Sequence, residues 1–320
     1  MRVRLGYVAI ALKLPKVTSS SHLTYTRYKK MFSEEEKINA LKKVTRSNME
    51  DLYKILLYNA ENNIHFYRIT SKLIPLATHP EVTNWKYKTY FKEDFKRLGE
   101  LIKKNNMRVD THPDHFNVLN SLRNDVVEKT KKELVLHDYL FDAMDYPEGK
   151  MVLHIGSGQC GKEKSINRFI ENFHTLPSKI RSRLILENDD KLFTAKEVLS
   201  VCKNIKIPMV LDIHHHLCNN ENTLIESILP KFFQTWKGEF FPPKVHISSP
   251  KEGEKDRKHA DYILPNTFIR FLEKCNGYHQ DLDVMIEAKQ KDLALYQLAK
   301  DIQTLRPDWK WIDTTTIEIK

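Results

Sequence analysis

The 320-residue sequence predicts an α/β fold, a single (β/α)8 TIM barrel with a short C-terminal extension, on three observations. Eight short apolar runs alternate with longer segments of helical period. Such alternation implies parallel strands joined by right-handed crossovers, and eight units suit a closed barrel better than an open sheet. No linker divides the chain: there are only nine glycines, and the one serine run, Ser19 to Ser21, is too short. With 41% hydrophobic residues the chain can bury one large core, so residues 1–305 read as a barrel domain. Residues 306–320, with Trp309 and Trp311, read as a tail packed on it.

The first run, residues 3–10, has a basic start and a short apolar stretch, yet no small-residue cleavage pattern follows, so it reads as a core strand. Ile38, Leu41, Val44, Met49, Leu52, Ile55, Leu56 and Tyr58 form an apolar stripe that makes residues 34–62 a helix. Further strands are expected at 65–71, 107–112, 151–156, 183–188, 209–214, 244–249 and 283–289, the length of buried parallel strands. Helices are expected at 91–105, 120–144, 164–173, 194–203, 222–236, 266–275 and 290–305. Thr194, three residues ahead of Glu197, marks one start as a capping box.

Several functional classes drop out. No run approaches the ~20 apolar residues of a spanning helix, and a cytoplasmic monomer is expected, with no membrane partner. Cys160, Cys202, Cys218 and Cys275 show no CxxC spacing and read as inert thiols. The run Gly156-Ser157-Gly158-Gln159-Cys160-Gly161 matches a dinucleotide fingerprint, but His154 interrupts its strand, which is the fourth and not the first of a unit. No nucleotide cofactor is expected. A balance of 52 Lys and Arg against 42 Asp and Glu gives +10, which favours an anionic partner.

The 14 histidines are the more informative feature. The strands end in THP, LHIGS, LEND, LDIHHH, KVHISS and MIEAK, and in a barrel all these ends face one mouth. His112, His154, Glu187, Asp212, His215, His246 and Glu287 would then converge. Burying so many charges is costly unless they are paired or hold cations. Three carboxylates among neutral imidazoles suit divalent ions such as manganese or zinc, and the donor count implies two or three of them. Paired ions can act on a phosphodiester, which fits the basic charge. His22, His65, His137, His174 and His279 read as surface or structural residues, and His214 or His216 as a partner that supports a ligand.

The strings FYRITS, PLATHP, THPDHF, LHIGS, LENDD, LDIHHH, KVHISS, KHADY and DVMIEAKQKDLAL closely resemble the ultraviolet damage endonucleases of the endonuclease IV-like barrel superfamily, in unbroken order from about residue 3 to 298. The resemblance implies three divalent metals, manganese first and zinc or cobalt as substitutes, acting on damaged double-stranded DNA. It implies as ligands His112, His154, Glu187, Asp212, His215, His246, His259 and Glu287, with His79 in the same metal set either as a ligand or next to one, and with Glu187, Glu287, His154 and Lys244 nearest the chemistry. Lys244 matches a lysine that the family can carry in carboxylated form. The implied reaction is metal-assisted hydrolysis immediately 5′ to a photolesion, leaving a 3′-hydroxyl and a 5′-phosphate.

For DNA the resemblance singles out Tyr7 as a stacking residue, and His115 and Phe116 where the family often places a Gln followed by an aromatic wedge. Ile10 stands near where the family commonly has Asn. Arg68 and Lys289, at strand ends, are the foremost phosphate candidates, ahead of Lys72, Lys162, Lys164, Lys251, Lys255 and Arg257. Two rivals share the barrel: an abasic-site endonuclease of the endonuclease IV kind, and a metal-dependent sugar isomerase or epimerase, which would leave the charge and several strand-end histidines without a task.

Overall fold

Eight parallel strands close on themselves in the computed structural model, which describes residues 1–320. From β1 (Arg2–Val8) the chain runs through α1 (Tyr25–Lys29) and α2 (Glu34–Glu61) to β2 (Phe66–Ile69). Helices α3 (Tyr87–Tyr90) and α4 (Lys92–Lys104) precede β3 (Arg108–Thr111), and α5 (Asn124–Ala143) precedes β4 (Lys150–Leu153). Next come α6 (Lys162–His174), α7 (Ser178–Arg183), β5 (Leu184–Glu187), α8 (Ala195–Ile205) and β6 (Met209–Asp212). The circuit ends with α9 (Ile213–Cys218), α10 (Ile225–Thr235), β7 (Lys244–Ile247), α11 (Pro265–Asn276), β8 (Leu282–Ile286) and α12 (Lys291–Leu305).

All eight expected strands and all eight expected helices are present. The short helices α1, α3, α7 and α9 were not foreseen, nor were the tail strands β9 (Lys310–Trp311) and β10 (Thr316–Glu318). β10 pairs antiparallel with β1, Arg2 opposite Glu318, and the Met1 amine donates to the Ile319 carbonyl at 2.8 Å. The tail thus lies across the N-terminal end of β1, away from the mouth.

β1 pairs with β8 on one side and β2 on the other, which closes the cylinder. This seam needs a glycine, because a Cβ on Gly6 would stand 2.2 Å from the Phe66 carbonyl oxygen. Registered partners in a parallel sheet point to the same face, and successive residues point to opposite ones. Arg4 opposite Asp283, Phe66 opposite Arg108, Arg68 opposite Asp110, Val152 opposite Ile185, Glu187 opposite Val210, Asp212 opposite His246 and Lys244 opposite Asp283 therefore share the inner face. Leu5, Tyr7, Val109, Leu186, Leu211 and Val245 face outward, fully covered by the helices.

Below the mouth the inner face carries a ladder of alternating charge. Arg4 forks onto Asp283 with two contacts of 2.6 Å, Arg108 reaches Asp283 at 2.8 Å and Asp110 at 3.6 Å, and Lys244 meets Asp110 at 2.8 Å. The Arg108 guanidinium lies 5.0 to 5.2 Å from the rings of Phe66, Trp236 and Phe241. No helix is long and apolar enough to cross a membrane.

Candidate metal centre

Strand parity and strand length deliver the acids to one place. Glu187 ends β5 on the inner face, and its two oxygens meet imidazoles from four neighbouring segments. Oε1 lies 2.8 Å from His246 Nδ1 and 3.6 Å from His215 Nδ1; Oε2 lies 3.2 Å from His112 Nε2 and 3.6 Å from His154 Nε2. Glu287, just beyond β8, places Oε1 3.1 Å from His246 Nδ1 and 2.5 Å from Arg68 Nη1. Three groups have donor atoms close enough to share an ion: His112, His154 and Glu187; Glu187, Asp212 and His215; and Glu187, His246 and Glu287. Glu187 belongs to all three.

The turn after β6 explains how Asp212 and His215 meet. The expected strand to residue 214 stops at Asp212, because its Oδ1 accepts the N–H of His215 at 2.7 Å and caps α9. One helical turn then brings His215, not His214, into the mouth. His214 is buried behind it, with Nδ1 2.6 Å from Ser248 Oγ and Nε2 donating to the Asp256 carbonyl at 2.9 Å. It thereby holds the segment after β7 that carries His259.

The donor set fits divalent cations. The Nδ1 atoms of His112, His215 and His259 donate to the carbonyls of Pro113, Asn188 and Glu287 at 2.9, 2.9 and 2.7 Å, which leaves each Nε2 as the lone-pair nitrogen. Asp212 Oδ2, His154 Nδ1 and His246 Nε2 are buried without any hydrogen-bond partner. Burial opposes the charge on Glu187, yet His246, His154 and His112 outweigh it and hold its carboxyl well below the usual range. Burial likewise opposes Glu287, which Arg68 and His246 keep ionised. Asp212 is pushed up to about 8 by burial and by the two facing glutamates. His215, despite burial, is drawn up to about 9 by Asp212 and Glu187. Clustered acid of this kind is what bound cations relieve.

A family model described as UV-endonuclease UvdE matches residues 3–316. The chain belongs to this family. It is 38% identical over 304 residues to the UV DNA damage endonuclease of Halalkalibacterium halodurans, covering 94% of each chain. It is 38% identical to that of Bacillus pumilus over the whole of both chains. The crystal structure of SacUVDE superposes with a TM-score of 0.84 at 35% identity, covering 95% of this chain and 99% of that one. Endonuclease IV from Thermus thermophilus superposes with a TM-score of 0.53 at 15% identity, covering 80% of this chain and 93% of the other, a likeness of fold alone.

The protein is thus an enzyme, a UV DNA damage endonuclease by family, with metal-competent groups at the barrel mouth. Around this UvdE-family centre the remaining expected residues divide. His259 lies beside it, its ring 6.3 Å from that of His215. His79 is in none of the three groups: its ring stacks on Tyr25 at 4.0 Å and its Nδ1 accepts the Glu81 N–H at 3.3 Å. Lys244 sits lower in the barrel on Asp110, its ammonium pushed down to about 8 by burial, which Asp110 opposes and Arg108 and Arg68 reinforce.

For DNA, His115 and Phe116 stand on the exposed loop after β3 with rings 4.0 Å apart, and Phe116 is 73% exposed. Lys289 is exposed just past Glu287. Arg68 is turned inward onto Glu287, and Lys162 is held by Glu197 and Glu221. Tyr7 requires a correction as a stacking residue. It occupies an outward position of β1, wholly buried, with its hydroxyl donating to Asn59 Oδ1 of α2 at 2.7 Å, so no base can reach it.

The glycine run after β4 is a turn, pinned where Asn120 Nδ2 donates to the Ser157 carbonyl at 2.6 Å and Asn120 Oδ1 accepts the Ser157 N–H at 2.9 Å. Sequence reasoning missed Asn188, whose side chain brackets Asp212 by donating to its carbonyl at 3.0 Å and accepting its N–H at 2.9 Å. It also missed Asp110 and Arg108. The signal was the period-two series Arg108, Asp110, His112 along one strand.

Proposed function

We propose that the protein incises damaged double-stranded DNA immediately 5′ to ultraviolet photolesions, leaving a 3′-hydroxyl and a 5′-phosphate, with three divalent cations held at the barrel mouth. The observation that carries this reading is the sharing of Glu187 among three donor groups. His112 and His154 with Glu187, Asp212 and His215 with Glu187, and His246 and Glu287 with Glu187 would hold one cation each, with His259 and His79 adjoining; manganese suits this mixture of imidazole and carboxylate, and zinc or cobalt could replace it. Such cations supply positive charge to a phosphodiester and make water a stronger nucleophile near neutral pH.

This chain's own residues then have distinct tasks. Glu187 and Glu287 fix the donor geometry, and Arg68 orients Glu287. His154 faces the phosphate beside His112, and Lys244, buried lower in the barrel on Asp110, balances the charge of the site from beneath. Phe116 offers an exposed flat ring to the duplex, with the His115 ring tilted against it. Lys289 meets the backbone. Extruding a damaged dinucleotide costs least where pairing is already weakened, so lesion choice follows partly from DNA deformability. Residues 1–305 then act as one catalytic barrel, steadied by the 306–320 tail, and the chain works as a cytoplasmic monomer.

The test is an end-labelled duplex carrying one cyclobutane dimer, incubated with the protein and Mn²⁺. A single nick directly 5′ of the dimer is expected. Absence of nicking by protein shown by elemental analysis to carry its metal overturns the assignment.

A further inference from the structure

One built feature has no task in this reading. A cleft of about 590 Å³ opens beside the mouth, between the segment after β2, the segment before α1 and the middle of α5. Ser71 lines both this cleft and the mouth pocket that contains Arg68, His112 and His154, so the two are neighbours across one residue. Leu23, Ile74, Leu76 and Leu136 give the cleft apolar walls, while Lys72 and Lys129 stand exposed at its rim. Glu133 enters from α5 with its carboxylate on the Thr78 hydroxyl. The wall after β2 is firmly held: buried Asn48 of α2 donates to the carbonyls of Ser21 and Leu73 at 2.9 and 3.0 Å, and Trp85 Nε1 donates to the Pro75 carbonyl at 3.1 Å.

We infer that this cleft is a nucleotide subsite: one unstacked nucleotide of the incised strand, flanking the lesion, seats its base between the apolar walls with its phosphates against Lys72 and Lys129. The inference rests on the endonuclease reading and extends its DNA track beyond the mouth. Three properties select a nucleotide. The volume falls within the ~300–1,000 Å³ of small-ligand pockets. Apolar walls beside paired ammonium groups match a base and its phosphates, since base burial tolerates any sequence and the lysines meet the backbone. The Glu133 carboxylate accepts from the exocyclic amino groups that bases present at their edges. The cleft's place beside the metal-competent mouth, across Ser71, sets it next to the strand being cut, where a protein segment has no task.

The experiment measures affinity of the full-length Glu287→Gln protein, with Mn²⁺, for a long lesion duplex and for two duplexes truncated close to the lesion on either side. Adding Lys72→Ala and Lys129→Ala together should reduce the slope of log Kd against log salt by about 2, near 0.9 per phosphate contact, on the long duplex. The reduction should vanish on at least one truncated duplex, and Lys310→Ala in the tail strand should leave the slope as it was. An unchanged slope on the long duplex, or equal reductions on all three, overturns the subsite. Nicking by the wild-type chain is read separately, so failure of the endonuclease reading and failure of the subsite are told apart.

Discussion

Nδ1 of His246 lies 2.8 Å from Oε1 of Glu187, inside a barrel where both side chains are shut off from solvent. Because Glu187 also faces His112, His154 and His215, it is the one side chain whose loss touches all three donor groups. Glu187→Gln should therefore lower incision by about 10³-fold or more, in line with losing an electrostatic stabiliser worth roughly 4 kcal/mol. Elemental analysis should find fewer bound ions per chain. Wild-type metal content together with wild-type rate would remove Glu187 from the centre.

Asn188 acts on Asp212 through two hydrogen bonds and touches no candidate donor with its side chain's charge, for it has none. Asn188→Ala frees the strand end that presents Asp212. A fall of about 10–100-fold in Mn²⁺ affinity is expected, the usual cost of removing support behind a ligand. Titration followed by electron paramagnetic resonance measures it, and the far-ultraviolet circular dichroism spectrum should stay unchanged.

Phe116 is exposed, so Phe116→Ala should alter folding stability by no more than about 0.5 kcal/mol. Its effect should fall on discrimination. The ratio of affinities for damaged and intact duplex should drop several-fold, whereas salt-sensitive binding to intact duplex persists. Equal losses on both duplexes would argue against a wedge.

Lys244 and Asp110 form a buried pair in the charge ladder. Lys244→Met leaves Asp110 facing Arg108 alone at 3.6 Å and should destabilise the fold by about 3 kcal/mol, the range for breaking a buried ion pair from one side. Combining it with Asp110→Asn should recover part of that loss. Urea denaturation of the single and double variants provides the comparison.

His137 on α5 is fully buried, and neither ring nitrogen has a hydrogen-bond partner. Burial, aided by His112, pushes its pKa down to about 4. The unfolded chain takes up the proton near the ordinary value of ~6.5 and the folded chain does not. Stability is therefore fully present above ~6.5 and falls as pH drops through 4, by up to about 3 kcal/mol for this one group. His137→Leu should raise Tm and flatten its decline between pH 6.5 and 4.5. A parallel decline in wild type and variant would show that other groups govern the acid limb.

The barrel was legible because its signals are local and repeated. Each strand is a short apolar run with a polar end, and each long helix carries an apolar stripe. Most of the centre was legible for the same reason, since the parity of Glu187, Asp212, His246 and Glu287 is written into their strands. Tyr7 was misread because the same parity, applied to β1, sends it outward to Asn59 rather than into the mouth. Asn188 was missed because its role is a pairing across strands, which no spacing within one segment reveals. The tail strands were missed because their partner, β1, lies some 300 residues away along the chain.

Because parity alone aims the acids inward, the barrel strands and the segments between them tolerate genetic change very differently. Inserting or deleting one codon within β5 or β6 would turn Glu187 or Asp212 toward the helices and replace it with an aliphatic neighbour. The connections on the opposite face, which lead from each helix into the next strand, carry no such constraint, whereas those at the mouth share it because they bring in His154, His215 and His259. Length variation among related genes should accordingly gather between the strands, and the spacing within each strand should persist even where sequence identity has largely decayed.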